Sequence, residues 1–223
     1  MLVEFAQLFS MSGSIDDRNL SLVNKIEKSG VKRIIAINDF SHEETSAGIF
    51  LMRQKNRMRE LRAMLTAKRV KIVPAVCVGI SEGVSQTPDL YRLTLNKSRY
   101  ILTTPPCGGF SDETMVEYKN IILKEKLVPI IMYFERYAAC YDDYSLKKLL
   151  GISSAIFQVT DSALSSVKLR ETINTLIKNN RTVIVSGNYK YDEKKKYFSL
   201  TAPSRKLYDY LSIVNNSFYS KVF

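Results

Sequence analysis

Short apolar runs rich in valine and isoleucine alternate with amphipathic stretches along the whole chain, and this alternation limits the possible folds strongly. Such runs are typical of strands that are buried on both faces of a parallel sheet. The pattern predicts strands at residues 2–8, 33–38, 71–78, 99–103, 128–133, 155–160 and 182–186. It predicts helices at 18–28, 112–126 and 162–178, and a long helix that follows a Ser41–Glu44 capping box and runs towards residue 68. Strand–helix units in this succession indicate an α/β fold of seven strands that resembles a barrel.

Size and composition predict one globular domain over residues 1–223, because 45% of the residues are hydrophobic and 25% are charged. The first residues have neither a basic start nor a small-residue cleavage site, and no apolar run has the length of a membrane span. We therefore expect a cytoplasmic protein without a transmembrane segment. Three cysteines without paired metal spacing predict free thiols.

The net charge of +11 is concentrated in one stretch, because residues 53–71 contain eight basic residues and a single acid, Glu60. A solvated helix face is one explanation, and an anion-binding surface is the other. Arg57, Arg59 and Arg62 are the candidates for binding anions. Stacking aromatic residues are missing from this stretch, so we expect only weak, non-specific binding of polyanions.

The segment 127–137, LVPIIMYFERY, combines a buried strand with charged residues directly after its end. Together with 93–102 (LTLNKSRYIL) and 156–164 (IFQVTDSAL), it resembles the PHP-family protein-tyrosine phosphatases of bacterial capsule and exopolysaccharide operons. In that family this strand ends with the motif A-H-P-E-R-Y, and the histidine of the motif binds a metal ion. The resemblance covers about residues 15–189 and implies a distorted (β/α)7 TIM-like barrel, the PHP fold.

The resemblance also implies a metal site, usually of manganese, that activates water against phosphotyrosine esters. This chain departs from the family at the expected ligands. Tyr133 replaces the histidine of this motif, and Cys77 and Thr104 replace glutamates. After the last strand, where the family has S-D-x-H, Gly187 and Tyr189 replace the aspartate and the histidine. Asp39 keeps a plausible ligand type, and the chain contains a single histidine. We therefore expect no metal cofactor.

Other family residues are retained: Asn96, Arg99 and Tyr100, then Glu135, Arg136 and Tyr137, then Gln158, Val159 and Thr160. The resemblance thus implies a preserved scaffold with a remnant pocket at Glu135 and Arg136. These two could form a buried pair that serves the fold. Alternatively, Arg136 could face the old pocket and bind an anion.

Three functions remain open. The first is a catalytically silent relative that acts by binding, in the regulation of capsular or exopolysaccharide synthesis through a bacterial tyrosine kinase or its tyrosine-rich tail. The second is an active, manganese-dependent phosphatase with rewired ligands, for which Asp39, His42 and Cys77 are weak candidates. The third is a binder of nucleic acid or of another anionic surface through the basic helix, residues 53–71. A cysteine-dependent phosphatase is excluded, because no cysteine has an arginine six positions later.

Overall fold

The computed structural model describes residues 3–7, 17–28, 31–65, 69–160, 163–164, 166–186 and 205–223. Lys68, Gly187 and Tyr189, which the sequence analysis considered, lie outside these residues. The helices are α1 (Asp17–Lys28), α2 (Ala47–Met64), α3 (Asp112–Leu123), α4 (Phe134–Cys140), α5 (Asp143–Leu150), α6 (Val167–Lys178) and α7 (Arg205–Val222). None of the described helices combines the length and apolar character that a bilayer crossing requires.

The strands follow the predicted apolar runs and pair in chain order. They are β1 (Val3–Gln7), β2 (Arg33–Phe40), β3 (Lys71–Gly79), β4 (Tyr100–Thr104), β5 (Val128–Ile131), β6 (Ile156–Thr160) and β7 (Val183–Ser186). Strands β2 to β7 form a parallel sheet that curls into a half-barrel, and β1 pairs in parallel with β2. The predicted α/β class with a parallel sheet is confirmed. Closure into a seven-stranded barrel stays a prediction.

Side chains of the curled sheet pack on two sides. Its convex side is covered by the helices that connect the strands, with a core that includes Phe40, Phe50, Tyr118 and Phe157. Its concave side is lined by Ile35, Ile37, Ala75, Cys77, Leu102, Ile130, Met132 and Ile184. Phe218, Tyr219 and Val222 of α7 pack into this concave side. The curled strands therefore enclose an apolar interior, and the buried side chains of α7 fill part of it.

Helix α7 was not predicted from the sequence, and it covers the outer edge of β7. The Asn215 side chain accepts a hydrogen bond from the Val185 N–H at 3.0 Å and donates one to the Val185 carbonyl at 2.9 Å. A neighbouring strand would form the same two bonds. Asn215 therefore replaces a strand at this point of the sheet edge.

Two predicted helix starts are corrected by the structure. The capping box at Ser41–Glu44 forms a turn, and α2 begins only at Ala47, where the Ser46 hydroxyl accepts a bond from the Ile49 N–H. Helix α6 likewise begins at Val167, with Ser166 as its N-cap. In both cases the serine directly before the helix provides the cap.

Candidate functional site

Polar side chains gather at the carboxyl ends of β2 to β7, the edge at which parallel sheets carry their functional residues. We call this group the carboxyl-end site; its members are Asp39, Cys77, Thr104, Tyr133, Gln158 and Ser186. Each member lies within the last three residues of a different strand or just beyond its end. The family resemblance places metal ligands at the same ends of β2, β3, β4, β5 and β7, whereas Gln158 of β6 is a retained family residue.

Asp39 and Cys77 are neighbours in the register of β2 and β3. The Cys77 thiol is fully buried, and its pKa is raised far above the ordinary value, first by burial and then by the Asp39 carboxylate. A hydrogen bond with Thr104 opposes this shift but does not cancel it. Burial therefore favours the protonated form of the Cys77 thiol, which is a poor nucleophile.

Gln158 connects three strand ends through one buried amide. Its Oε1 accepts a bond from the Tyr133 N–H at 2.7 Å, and its Nε2 donates to the Ser186 hydroxyl at 2.6 Å and to the Val159 carbonyl at 2.9 Å. The backbone of Tyr133 has φ 54° and ψ 45°, a left-handed conformation that a non-glycine residue adopts at a cost. The bond from Gln158 helps to hold the chain in this turn between β5 and α4.

Glu135 and Arg136 do not form the buried pair that one interpretation of the sequence predicted. The Glu135 carboxylate accepts bonds from the Thr160 hydroxyl at 2.8 Å and from the Thr160 N–H at 3.4 Å. Arg136 is exposed, and its guanidinium carbon lies 4.4 Å from the centre of the Tyr133 ring. Glu135 thus ties α4 to β6, whereas Arg136 remains accessible beside the carboxyl-end site.

His42 lies apart from the two other residues that were weak metal candidates. Its Nδ1 is 3.3 Å from the Ser81 hydroxyl, in the loop after β3. Within the described part of the chain, no group of three or more histidine, cysteine or acidic residues is placed to hold a metal ion. The structure therefore brings Asp39 and Cys77 together without His42.

The arginines of the basic helix lie on α2, on the convex side of the sheet. Arg59 is exposed, Arg57 is half-buried, and Arg62 donates to the Ile72 carbonyl at 3.3 Å. None of the three belongs to the carboxyl-end site. The candidate anion-binding residues of the sequence analysis thus fall into two separate groups, Arg136 and the α2 arginines.

Sequence reasoning missed Glu117, a buried acid on α3. Its carboxylate accepts bonds from the N–H groups of Gly83 at 2.9 Å and Ser85 at 2.8 Å. Burial alone would raise the pKa of Glu117, but the bonds from Ser85 and Gly83 outweigh it and lower the pKa. A signal existed in the sequence, because Glu117 lies on the same helix face as Thr114, Tyr118 and Ile121, which are buried. An acid on a buried face indicates a specific partner, here the loop after β3.

Comparisons with known proteins show a fold and no closer relationship. No protein-family model and no curated protein matches the chain. One solved structure of low similarity is phospho-2-dehydro-3-deoxyheptonate aldolase from Thermotoga maritima, with a TM-score of 0.36, 12% identity, and coverage of 99% of this chain and 69% of the aldolase chain. This value is too low to support a shared fold.

A solved structure of the metal-dependent tyrosine phosphatases YwqE from Bacillus subtilis and CpsB from Streptococcus pneumoniae is much more similar. It aligns with a TM-score of 0.61 and 18% identity, over 83% of this chain and 78% of the phosphatase chain. An identity this low supports the fold alone. The chain therefore has a fold similar to that of the metal-dependent tyrosine phosphatases.

Proposed function

We propose that this protein is a PHP-fold relative of the tyrosine phosphatases that has no metal cluster and acts by binding a partner at its carboxyl-end site. The observation that carries the proposal is Tyr133, whose ring lies against the exposed Arg136 guanidinium at the position where the family resemblance implies a metal-binding histidine. A tyrosine in place of the histidine removes an imidazole ligand from the metal cluster that the resemblance implies.

The side chains of the described residues at the carboxyl-end site do not fit a manganese cluster. Manganese prefers carboxylate and imidazole ligands that converge from several strands. Here Glu135 is engaged by Thr160, Cys77 is a buried thiol, and His42 bonds to Ser81. These side chains therefore do not supply the ligands that a metal-activated water requires.

The partner that suits the exposed groups beside the site is an anionic, tyrosine-containing segment. Arg136 offers a guanidinium for an anion, and the half-buried Tyr133 ring beneath it offers an aromatic face. We propose that this segment belongs to a bacterial tyrosine kinase in the cytoplasm, and that binding regulates capsular or exopolysaccharide synthesis. We propose further that residues 1–223 form one domain and that β1, which lies near β7, completes a seven-stranded barrel.

A peptide-binding experiment tests the role of Arg136. The wild-type protein and the variants Arg136→Ala and Arg99→Ala are titrated with a fluorescent tyrosine-rich peptide, in phosphorylated and unphosphorylated form. Arg99 is a matched control, because it is also exposed and lies beside a tyrosine, Tyr100, but at the amino end of β4. We expect Arg136→Ala to weaken binding of the phosphorylated peptide about tenfold and Arg99→Ala to leave it unchanged. Equal affinities for all three proteins would refute binding at this site.

A metal and activity assay separates the proposal from the alternative of a rewired enzyme. The protein is dialysed after incubation with manganese, analysed for metals, and assayed with an aryl phosphate. We expect no stoichiometric metal and no turnover above background. Turnover that scales with protein concentration and disappears on chelation would establish the manganese-dependent phosphatase instead, and Asp39 and Cys77 would then be the first ligands to examine.

A further inference from the structure

A second charged surface lies at the opposite end of the sheet, where the strands begin. We call it the basic corner; its members are Lys25, Lys28, Lys32, Arg62, Arg69 and Lys71, and all six are exposed. They come from the last turn of α1, the residue before β2, the last turn of α2 and the segment that enters β3. Only half of these residues lie in the stretch 53–71, so the fold brings the corner together from separate parts of the sequence.

Hydrogen bonds of the backbone and of two side chains bring these segments together. The Lys71 N–H donates to the Lys32 carbonyl at 3.0 Å, which joins the starts of β2 and β3. The Arg69 N–H donates to the Glu27 carboxylate at 2.6 Å, which places the end of α1 beside it. Arg62 reaches the Ile72 carbonyl from α2. The segments that carry the six cations therefore lie side by side at this end of the sheet.

The positive charge of the basic corner is not neutralised within the described residues. Glu27 is the acid at its centre, and that carboxylate is already bonded to a backbone N–H. The ion pairs of the described residues, Arg92–Asp89 and Lys148–Asp112, lie elsewhere. Like charges held together repel one another and lower stability. An anionic partner would remove this repulsion.

An exposed apolar side chain at the same corner distinguishes between anionic partners. Met64, the last residue of α2, is 49% exposed two positions after Arg62. Leu22 of α1 is also exposed, at 38%. A lipid headgroup layer accommodates both cations and apolar side chains, whereas the phosphates of a nucleic-acid duplex form no favourable contact with an apolar side chain. The aromatic ring beside the corner, Phe223, is half-buried and covered by the Arg33 guanidinium, so it offers an unpaired base little surface for stacking.

From this combination we propose that the basic corner docks the protein on the surface of an anionic phospholipid bilayer. The lysines and arginines approach the lipid phosphates, and Met64 enters the headgroup layer. The corner lies at the amino ends of the strands, so docking leaves the carboxyl-end site on the opposite end of the sheet.

Vesicle co-sedimentation tests this proposal. The protein is mixed with vesicles that contain about 30% phosphatidylserine in phosphatidylcholine, or phosphatidylcholine alone, at an ionic strength of about 0.15 M. One variant combines Lys28→Gln, Lys32→Gln and Lys71→Gln. A control combines Lys55→Gln, Lys119→Gln and Lys168→Gln, which removes the same charge from exposed positions in the middle of α2 and α3 and in the first turn of α6.

We expect the wild-type protein and the control to bind the anionic vesicles and not the neutral ones. The corner variant should bind about a hundredfold more weakly, since each cation near an anionic surface contributes about fivefold. Met64→Gln should weaken vesicle binding without changing the affinity for a DNA duplex. Equal loss in the corner variant and the control, no wild-type binding, or tighter binding of the duplex than of the vesicles under the same conditions would overturn the proposal.

Discussion

At the scale of single residues, Gln158 does most to define the carboxyl-end site. Its amide is fully buried, and its partners Tyr133 and Ser186 lie 25 and 28 positions away. The family resemblance identified Gln158 as retained and Tyr133 as a replacement for histidine. The bond between them was not predictable, because side-chain partners at such separations depend on how the strands are placed. The buried environment of Cys77 was unpredictable for the same reason.

Replacing Gln158 by methionine keeps the volume of the side chain but removes its bonds to Tyr133 and Ser186. We expect Gln158→Met to lower the free energy of unfolding by about 1–3 kcal/mol, since buried polar groups then lose their partner. Urea denaturation measures this change. Gln86→Met, at an exposed position, is the matched control and should change stability by about 0.5 kcal/mol or less. Equal stabilities of the two variants would contradict the role given to Gln158.

At the scale of helices and strands, the apolar runs predicted the positions of the described strands well, but the predicted start of α2 was wrong. Ser41 and Glu44 fit the spacing of a capping box, yet they form a turn. The buried face of α2 begins at Ala47 and continues through Phe50. A helix is capped where its buried face starts, and burial is decided by packing against the sheet rather than by a local motif.

A pair of serine variants tests the corrected cap. Ser46→Ala removes the bond to the Ile49 N–H and should lower the free energy of unfolding by about 1 kcal/mol. Ser41→Ala should change it by about 0.5 kcal/mol or less. Thermal unfolding of both variants provides the measurement. A larger loss for Ser41→Ala would restore the capping box as the start of the helix.

At the scale of the whole molecule, α7 is the longest of three helices, with α4 and α5, that sequence reasoning failed to find. Leu211, Phe218 and Val222 are buried and recur at spacings of seven and four, so a helical signal was present. The succession of strands and helices ended with β7, however, and gave no reason to expect a further element inside the curl. The sequence therefore predicted the parallel sheet but not the helix that fills its concave side.

The pairing of α7 with the edge of β7 is testable through Asn215. Asn215→Ala leaves the N–H and carbonyl of Val185 without their partner, so we expect a loss of about 1–3 kcal/mol in the free energy of unfolding. Asn174→Ala is a matched control, because Asn174 is exposed on α6 and the change in helix propensity is the same. Denaturant titration of both variants measures the two free energies of unfolding. They can be compared when the free energy falls with denaturant concentration at the same slope in both variants. An Asn215→Ala protein as stable as the control would show that the edge is satisfied in another way.

The position of α7 also determines how the chain reaches its native state. The Asn96 amide donates to the Val222 carbonyl at 2.7 Å, a contact between residues that are 126 positions apart. Contacts of such separation slow folding, because a long loop must close before they contribute any free energy. We therefore expect the parallel sheet to assemble first and α7 to dock in a later step. During that interval Ile35, Ile130 and the other concave residues are open to water, and the refolding protein is most prone to aggregate.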